Sequence, residues 1–293
     1  MLNLSEFITQ NTGMANFLQE KLIQYNNGKK YGQVVFLAGG AGSGKGFALS
    51  NFMEKEKFKV RDVDEMKSAF LKLDKLTGKF PEIRGLDLRK PEDVFKLHTF
   101  VAGKGIKDRT LEMLLKDKNR DRLPNIVFDI TAKSLKDITK VVPLLQKVGY
   151  DARDIHITWI LTNYEVAVNN NAGRARVVPA DILLKTHVGA ANTMSEIAFK
   201  NSIPRSMVDG GVYVVLNNRN NTIIWTDESG KPIKNAKVSM HVKDFTYMTL
   251  KKPGKTPDNR DEVKAQLKAW IQSNAPNGWD NVAAMDDKNN QNS

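Results

Sequence analysis

The sequence predicts an α/β protein: a mainly parallel sheet between two layers of helices, with a helical N-terminal extension and a C-terminal β-hairpin. Three observations carry this reading. The β-branched run Gln33-Val34-Val35-Phe36-Leu37-Ala38 enters a glycine-dense turn and leaves it as a helix. Strand-like and helix-like stretches then alternate as far as Leu216, which implies right-handed crossovers and parallel pairing. Two of the strand-like runs end in carboxylates, Asp62 with Asp64 and Asp129, at the edge where open α/β sheets bind ligands.

The glycine turn is the most informative stretch. Gly39-Gly40-Ala41-Gly42-Ser43-Gly44-Lys45-Gly46-Phe47 has the Gly-x4-Gly-Lys spacing of a phosphate-binding P-loop. Glycines allow positive φ and close approach of the backbone to an anion, and successive N–H groups with a helix N-terminus supply partial positive charge. Lys45 adds a full charge. The expected fold is therefore the three-layer arrangement of P-loop NTPases and kinases, with Gly39 through Phe47 cradling ATP or GTP. Gly46 stands where a Ser or Thr usually ligates Mg²⁺, so the metal needs another holder. Asp129, at the end of a strand expected beside the P-loop, is the candidate; capping a turn is its alternative role.

The remaining elements follow in order. Leu4 to Tyr25 has apolar residues at helical spacing around a break at Thr12-Gly13. Phe58–Val63 reads as a strand, and Asp64 opens a helix at or near its N-cap. Thr77–Lys90 is polar and reads as a loop. Pro91 begins a helix running toward Leu115, interrupted near Gly103 and Gly105, in which His98 reads as a half-buried packing residue. Asn125–Asp129 is a strand, Ser134–Val148 a helix despite Pro143, and Ile155–Leu161 a strand. A short helix over Tyr164–Asn171 leads to Gly173-Arg174-Ala175-Arg176-Val177-Val178, and a longer helix starts at Pro179. Two arginines on a glycine-hinged connection suit a lid over phosphates; solvated surface arginines are the alternative. Val212–Leu216 and Thr222–Thr226 form the expected hairpin, and Val263–Ile271 a terminal helix. The expected divisions are an extension over 1–30, a core over 31–217 with its lid near 169–179, a packed hairpin and helix over 218–280, and a disordered tail over 281–293.

Composition narrows the classes. At 293 residues with 41% hydrophobic and 27% charged content, the chain can bury a substantial core. No apolar run approaches the roughly 20 residues of a membrane span, and the start lacks a signal-peptide profile, so a cytoplasmic protein without membrane contact is expected. The absence of cysteine excludes disulfides, thiolate metal sites and cysteine nucleophiles. A net charge of +12 points to anionic partners, although scattered lysines also serve solubility.

Taken in order, the P-loop, Asp62-Val63-Asp64-Glu65-Met66-Lys67, Asp129 with Thr131, and Asn170-Asn171-Ala172-Gly173-Arg174-Ala175-Arg176-Val177-Val178-Pro179 resemble the zeta-toxin group of P-loop kinases, relatives of polynucleotide kinases. The resemblance covers about Gln33 to Leu216. It implies that Asp64 is the general base for an attacking hydroxyl, with Lys67 in place of the more usual Arg as a substrate contact. It also implies that Lys45 and the P-loop amides hold the β- and γ-phosphates, and that Arg174 and Arg176 are lid arginines neutralising the transferring phosphoryl group. Asp62, Lys67 and Thr131 are the expected acceptor contacts. Where the family often carries an additional arginine before the lid, this chain has Asn169-Asn170-Asn171.

The function expected is phosphotransfer from ATP or GTP, with Mg²⁺, to a hydroxyl of a nucleotide, nucleotide sugar or nucleic-acid end. An antitoxin or assembly partner is also expected. Two alternatives remain at this level: a nucleic-acid-binding protein that uses nucleotide as a regulatory ligand, and a degenerate P-loop domain serving in assembly, for example of a phage particle. Ile130 after Asp129, where a motor ATPase would carry a catalytic Glu, weighs toward transfer.

Overall fold

The computed structural model describes residues 31–53, 55–115, 122–174, 176–200, 202–217 and 245–256, with Asp261, Ala265 and Leu267 beyond them. Six strands form one sheet: β1 (Val34–Ala38), β2 (Lys59–Asp62), β3 (Ile126–Ile130), β4 (Ile155–Thr162), β5 (Val212–Asn217) and β6 (Phe245–Lys251). Their order is β2-β3-β1-β4-β5-β6, with β6 antiparallel to β5 and every other pairing parallel. The helices are α1 (Lys45–Phe52), α2 (Val63–Thr77), α3 (Pro91–Gly103), α4 (Ile106–Leu115), α5 (Lys136–Thr139), α6 (Val142–Lys147), α7 (Tyr164–Ala172) and α8 (Ala180–Lys200).

The alternation of side chains along a strand builds the layers. Val34, Phe36 and Ala38 of β1 join Ile138 of α5, Leu145 of α6 and Met194 of α8 in one core, while Val35 and Leu37 join Ala48, Leu49 and Phe52 of α1 on the opposite face. All five residues of β1 are fully buried, as a central parallel strand covered on both faces requires. Phe36 stacks on Phe128 of β3 at 5.1 Å. This is the three-layer fold expected from the P-loop and the strand–helix alternation.

A third core stands apart. Ile83, Leu97 and Val101 are buried together, with Phe70, Phe80 and Phe100 packed against them. The three rings meet edge-on in pairs at 5.3, 5.8 and 5.6 Å. Helices α2 and α3 and the segment between them thus carry an apolar centre of their own beside the sheet.

Several expectations change in detail. The single helix over 134–148 is two short ones, because Pro143 has no N–H to continue a helix and instead sits in the first turn of α6. The 77–90 loop contains a 3₁₀ turn, Pro81–Ile83, held by Asp74, which accepts from Phe80 N at 2.7 Å. β2 stops at Asp62, and Asp62, not Asp64, is the N-cap of α2, accepting from Asp64 N at 2.7 Å. The outer neighbour of β5 is β6, a strand that the sequence reading does not predict. Lys251 fastens it, reaching Asp209 Oδ1 at 3.0 Å and the carbonyls of Asp209 and Gly210 at 2.9 Å.

The helices expected between Leu4 and Tyr25, the hairpin arm Thr222–Thr226 and the tail over 281–293 lie outside the described residues. Of the terminal helix, Ala265 and Leu267 are described; both are helical, and Leu267 is buried in the main core.

Candidate active site

Directly after β1 the chain turns through Gly39–Gly44 into α1. Gly44 caps that helix at φ 93°, with no side-chain cap and no acidic residue in the first turn. The amides there keep their partial positive charge for an incoming anion. A Cβ on Gly40 would lie 2.4 Å from the His187 ring, so only glycine fits. Lys45 Nζ folds back on the loop, donating to Gly39 O at 2.8 Å and Gly40 O at 3.2 Å, and stands 3.7 Å from Asp129 Oδ1.

The back of the loop is clamped by residues that sequence reasoning missed. Thr162 Oγ1 and Asn217 Nδ2 donate to Ser43 O at 2.5 and 3.1 Å, and Asn170 Nδ2 donates to Gly42 O at 3.0 Å. Ala41 N donates to Thr186 Oγ1 at 3.2 Å, and His187 Nε2 donates to Ala41 O at 2.7 Å. A carbonyl only accepts, so Nε2 carries the His187 proton. Burial pushes this imidazole down to about 4, and Lys45 adds to the effect, although the Ala41 bond opposes it; His187 is therefore neutral at pH 7. The Ser43 hydroxyl is buried with no hydrogen-bond partner among the described residues.

The acidic side of the site comes from the neighbouring strands. Asp62 and Asp129 are in register at the carboxyl ends of β2 and β3. Burial raises the Asp129 carboxyl to about 6; Lys45 counters this, while Asp62 and Asp64 reinforce it. Asp64, in the first turn of α2, meets Arg176 Nη1 at 2.6 Å and Lys67 Nζ at 3.0 Å. Burial alone would raise its carboxyl, but Arg176 and then Lys67 hold it well below the usual carboxylate range.

Thr131 is half-buried just past β3, beside Ala132, whose φ of 55° makes it the one described non-glycine residue in the left-handed region. The Phe47 ring packs toward α1's own core, against Phe52 at 6.2 Å. His98 is exposed rather than packed, close enough to Lys67, Asp64 and Arg176 to feel their charges.

The segment expected as a lid is held by Asn171 and by Leu88. Buried Asn171, at the end of α7, donates to Val178 O at 2.7 Å and accepts from Val178 N at 2.9 Å, and Val177 N donates to Leu88 O at 3.1 Å. Arg176 is thereby carried to Asp64. Arg174 is not; it is exposed and lines a cavity with Arg89.

The geometry can be set beside known proteins. The family model described as zeta toxin matches residues 18–229. The chain belongs to the zeta toxin family. Among solved structures, a chain from the PezAT chromosomal toxin–antitoxin system of Streptococcus pneumoniae is 12% identical, with 92% of this chain and 97% of that chain covered at a TM-score of 0.41. A chain from the AvrRxo1-ORF1:AvrRxo1-ORF2 complex with sulphate ions is 14% identical, with 96% and 87% covered at a TM-score of 0.38, and the same figures hold for the complex with ATP. Comparison with curated proteins gave no match.

For this zeta toxin family member the donor set fits Mg²⁺ only together with phosphates. Among the described residues no group of three or more acidic, His or Cys side chains is arranged to hold a metal. Half-buried Asp129, its carboxyl raised to about 6 by burial and by Asp62, with Lys45 opposing, is a hard oxygen ligand. Mg²⁺ commonly takes one or two carboxylates and completes its shell with water and substrate phosphates. No described helix is long and apolar enough to cross a membrane.

Proposed function

We propose that this zeta toxin family chain is a kinase that moves the γ-phosphoryl group of ATP or GTP to a hydroxyl of a nucleotide, nucleotide sugar or nucleic-acid end. The observation that carries this reading is that Asp64 from α2 pairs with Arg176 and lies near enough to Asp129, the partner of Lys45 beside the P-loop, for the two carboxylates to feel each other's charge. A hydrolase needs only water held in line; here Asp64, ionised beside Arg176, is a second carboxylate available to an acceptor hydroxyl.

Each residue then has a task. The amides of Gly42 through Phe47 and Lys45 hold the β- and γ-phosphates, while Lys45 leaves the carbonyls of Gly39 and Gly40 that it now occupies. Asp129 would hold Mg²⁺, which when bound offsets charge on the β- and γ-oxygens. Asp64 receives the proton of the acceptor hydroxyl. The acceptor oxygen forms its bond to the γ-phosphorus, and the bond to the β–γ bridging oxygen breaks, leaving the nucleoside diphosphate.

Arg176 links the states. While it sits on Asp64, the carboxylate is ionised and weakly basic. As the guanidinium turns to the phosphoryl oxygens, Asp64 loses that stabilisation and its basicity rises when the hydroxyl proton must be taken. Lys67 keeps the carboxylate oriented, and Asp62 fixes the helix start that presents it. On the same reading, the chain is a toxin held in check by an antitoxin partner.

The test is incubation of purified protein with γ-labelled ATP or GTP and Mg²⁺ against nucleosides, nucleotides, nucleotide sugars and 5′-hydroxyl oligonucleotides. A labelled acceptor is the expected product. Release of labelled inorganic phosphate alone, with every acceptor class, would contradict the proposal.

A further inference from the structure

At the edge of the sheet away from the P-loop, three cations converge on one carboxylate. Arg205 grips Asp209 bidentately, Nε to Oδ1 at 2.7 Å and Nη2 to Oδ2 at 3.2 Å. Lys251 Nζ reaches the same Oδ1 at 3.0 Å, and Arg153 Nε stands 3.9 Å from Oδ2. Burial would raise the Asp209 carboxyl, but Arg205 and Lys251 hold it below its ordinary value, so it carries its full charge at pH 7. One negative charge thus faces three positive ones, and exposed Lys252 and Lys255 follow directly in the chain. Lys251 is 13% exposed and fastens β6, whereas the side chains of Arg153 and Arg205 are 73% and 56% exposed. Pairs so open to water leave most of a cation's charge available to another anion.

The backbone under these cations is fixed. Arg205 Nη2 also donates to Gly254 O at 3.1 Å, and Gly254 N donates to Asp209 O at 2.8 Å. Lys255 N donates to Lys252 O at 3.1 Å, closing a turn in which Gly254 takes φ 67°. Asp209 N donates to Ala152 O at 2.7 Å, which ties the approach to β5 to that of β4. The cations therefore stand at the ends of three neighbouring strands, β4, β5 and β6, and the strand spacing of about 4.8 Å makes this edge about 10 Å across.

This edge is remote from the phosphotransfer groups. β4 begins at Ile155, two residues after Arg153, and ends at Thr162, whose hydroxyl donates to Ser43 O of the P-loop. At about 3.3 Å per residue, the length of β4 puts the two ends about 25 Å apart.

The chemistry of the surface selects its partner. A protein interface needs an apolar centre and is poor in lysine. Over 151–154, 202–211 and 251–256 there is no exposed large apolar side chain. The exposed carboxylate there, Asp151, is engaged with Arg153 N at 2.8 Å. Arginine and lysine with nearby hydroxyls, here exposed Ser206 and Thr256, are the side chains that contact phosphodiester oxygens. The net charge of +12 draws the same class of polyanion.

We infer that Arg153, Arg205, Lys252 and Lys255 form a docking surface for the phosphate backbone of a nucleic acid, on the far edge of the sheet from the P-loop. The surface acts without bound nucleotide and does not depend on which hydroxyl the kinase serves.

Fluorescence anisotropy with a labelled single-stranded oligonucleotide, blocked at both ends so that it offers no terminal hydroxyl, tests this. Four exposed cations at about 0.7 each predict a slope near −3 for log K against log salt. Arg153→Ala should make that slope shallower by about 0.7, and Arg153→Lys should keep it. Lys252→Ala with Lys255→Ala should lower affinity about tenfold at about 100 mM salt, with phosphotransfer to small acceptors within twofold of the parent. Removing two exposed lysines of α2 instead, Lys72→Ala with Lys75→Ala, should change affinity less than twofold. Unchanged melting temperatures are the check on folding. Equal weakening by the two lysine pairs would reduce the binding to net charge and overturn the inference. So would failure to bind at about 50 mM salt, or displacement of the oligonucleotide by polyglutamate at matched charge, which would assign the surface to an acidic protein.

Discussion

Replacing Asp129 with Asn is expected to stabilise the ligand-free protein while damaging its function. The Asp129 side chain is only 18% exposed, and its carboxyl is raised from 3.8 to about 6 by burial, an effect that Lys45 at 3.7 Å only partly offsets. An acid whose folded pKa is raised gives its full contribution to stability below the unfolded value, and that contribution is lost as pH rises through about 6. A shift of about two units corresponds to a cost of about 3 kcal/mol for the ionised native state at pH 7.5. Asn carries no such cost. Urea denaturation should therefore show Asp129→Asn more stable than the parent by about 3 kcal/mol at pH 7.5, narrowing to about 1 kcal/mol at pH 4.5. Saturating Mg²⁺ and ATP should reverse the order, because the bound ligands favour the ionised carboxylate. An Asn variant that is less stable than the parent at pH 7.5, or a difference that does not depend on pH, would refute the reasoning.

Other substitutions test other joints. Asn171→Ala removes two buried hydrogen bonds to Val178 and should cost about 2 kcal/mol, with faster hydrogen exchange at Val177 and Val178 than in the parent. Gly40→Ala places a methyl group 2.4 Å from the His187 ring and should lower ATP affinity at least tenfold in calorimetry. Gly46→Ser, by contrast, meets nothing within 4 Å, should fold as the parent does, and should tighten Mg²⁺ dependence of ATP binding by restoring the missing hydroxyl.

Much of the fold was legible because its signals are local. β1, the glycine turn and α1 are contiguous, and the β-branched strands β3, β4 and β5 stand within a residue or two of their expected places. Pro143 shows how a local signal is misread: the proline was compatible with a helix, but as its first turn rather than its middle. The P-loop clamps were illegible for a different reason. Thr162, His187 and Asn217 reach the loop across 119, 146 and 174 residues of sequence, and nothing near them marks the contact. β6 carried a strand signal in Phe245-Thr246-Tyr247-Met248-Thr249-Leu250, yet its partner, β5, precedes it by a long connection. At the candidate site, the sequence brought forward Asp64, Lys67, Asp129 and Arg176, which the fold assembles. It paired Arg174 with Arg176 as lid arginines, and in the fold Arg176 meets Asp64 while Arg174 lines a cavity with Arg89.

The central claim is that Asp64 takes the proton of an acceptor hydroxyl while the P-loop holds a nucleoside triphosphate. Single-turnover transfer from γ-labelled ATP by Asp64→Asn, measured beside calorimetric ATP binding, tests it most directly. The account predicts at least a hundredfold loss in the transfer rate with ATP affinity within threefold of the parent. Transfer at the parental rate, or loss of ATP binding in step with loss of transfer, would contradict it.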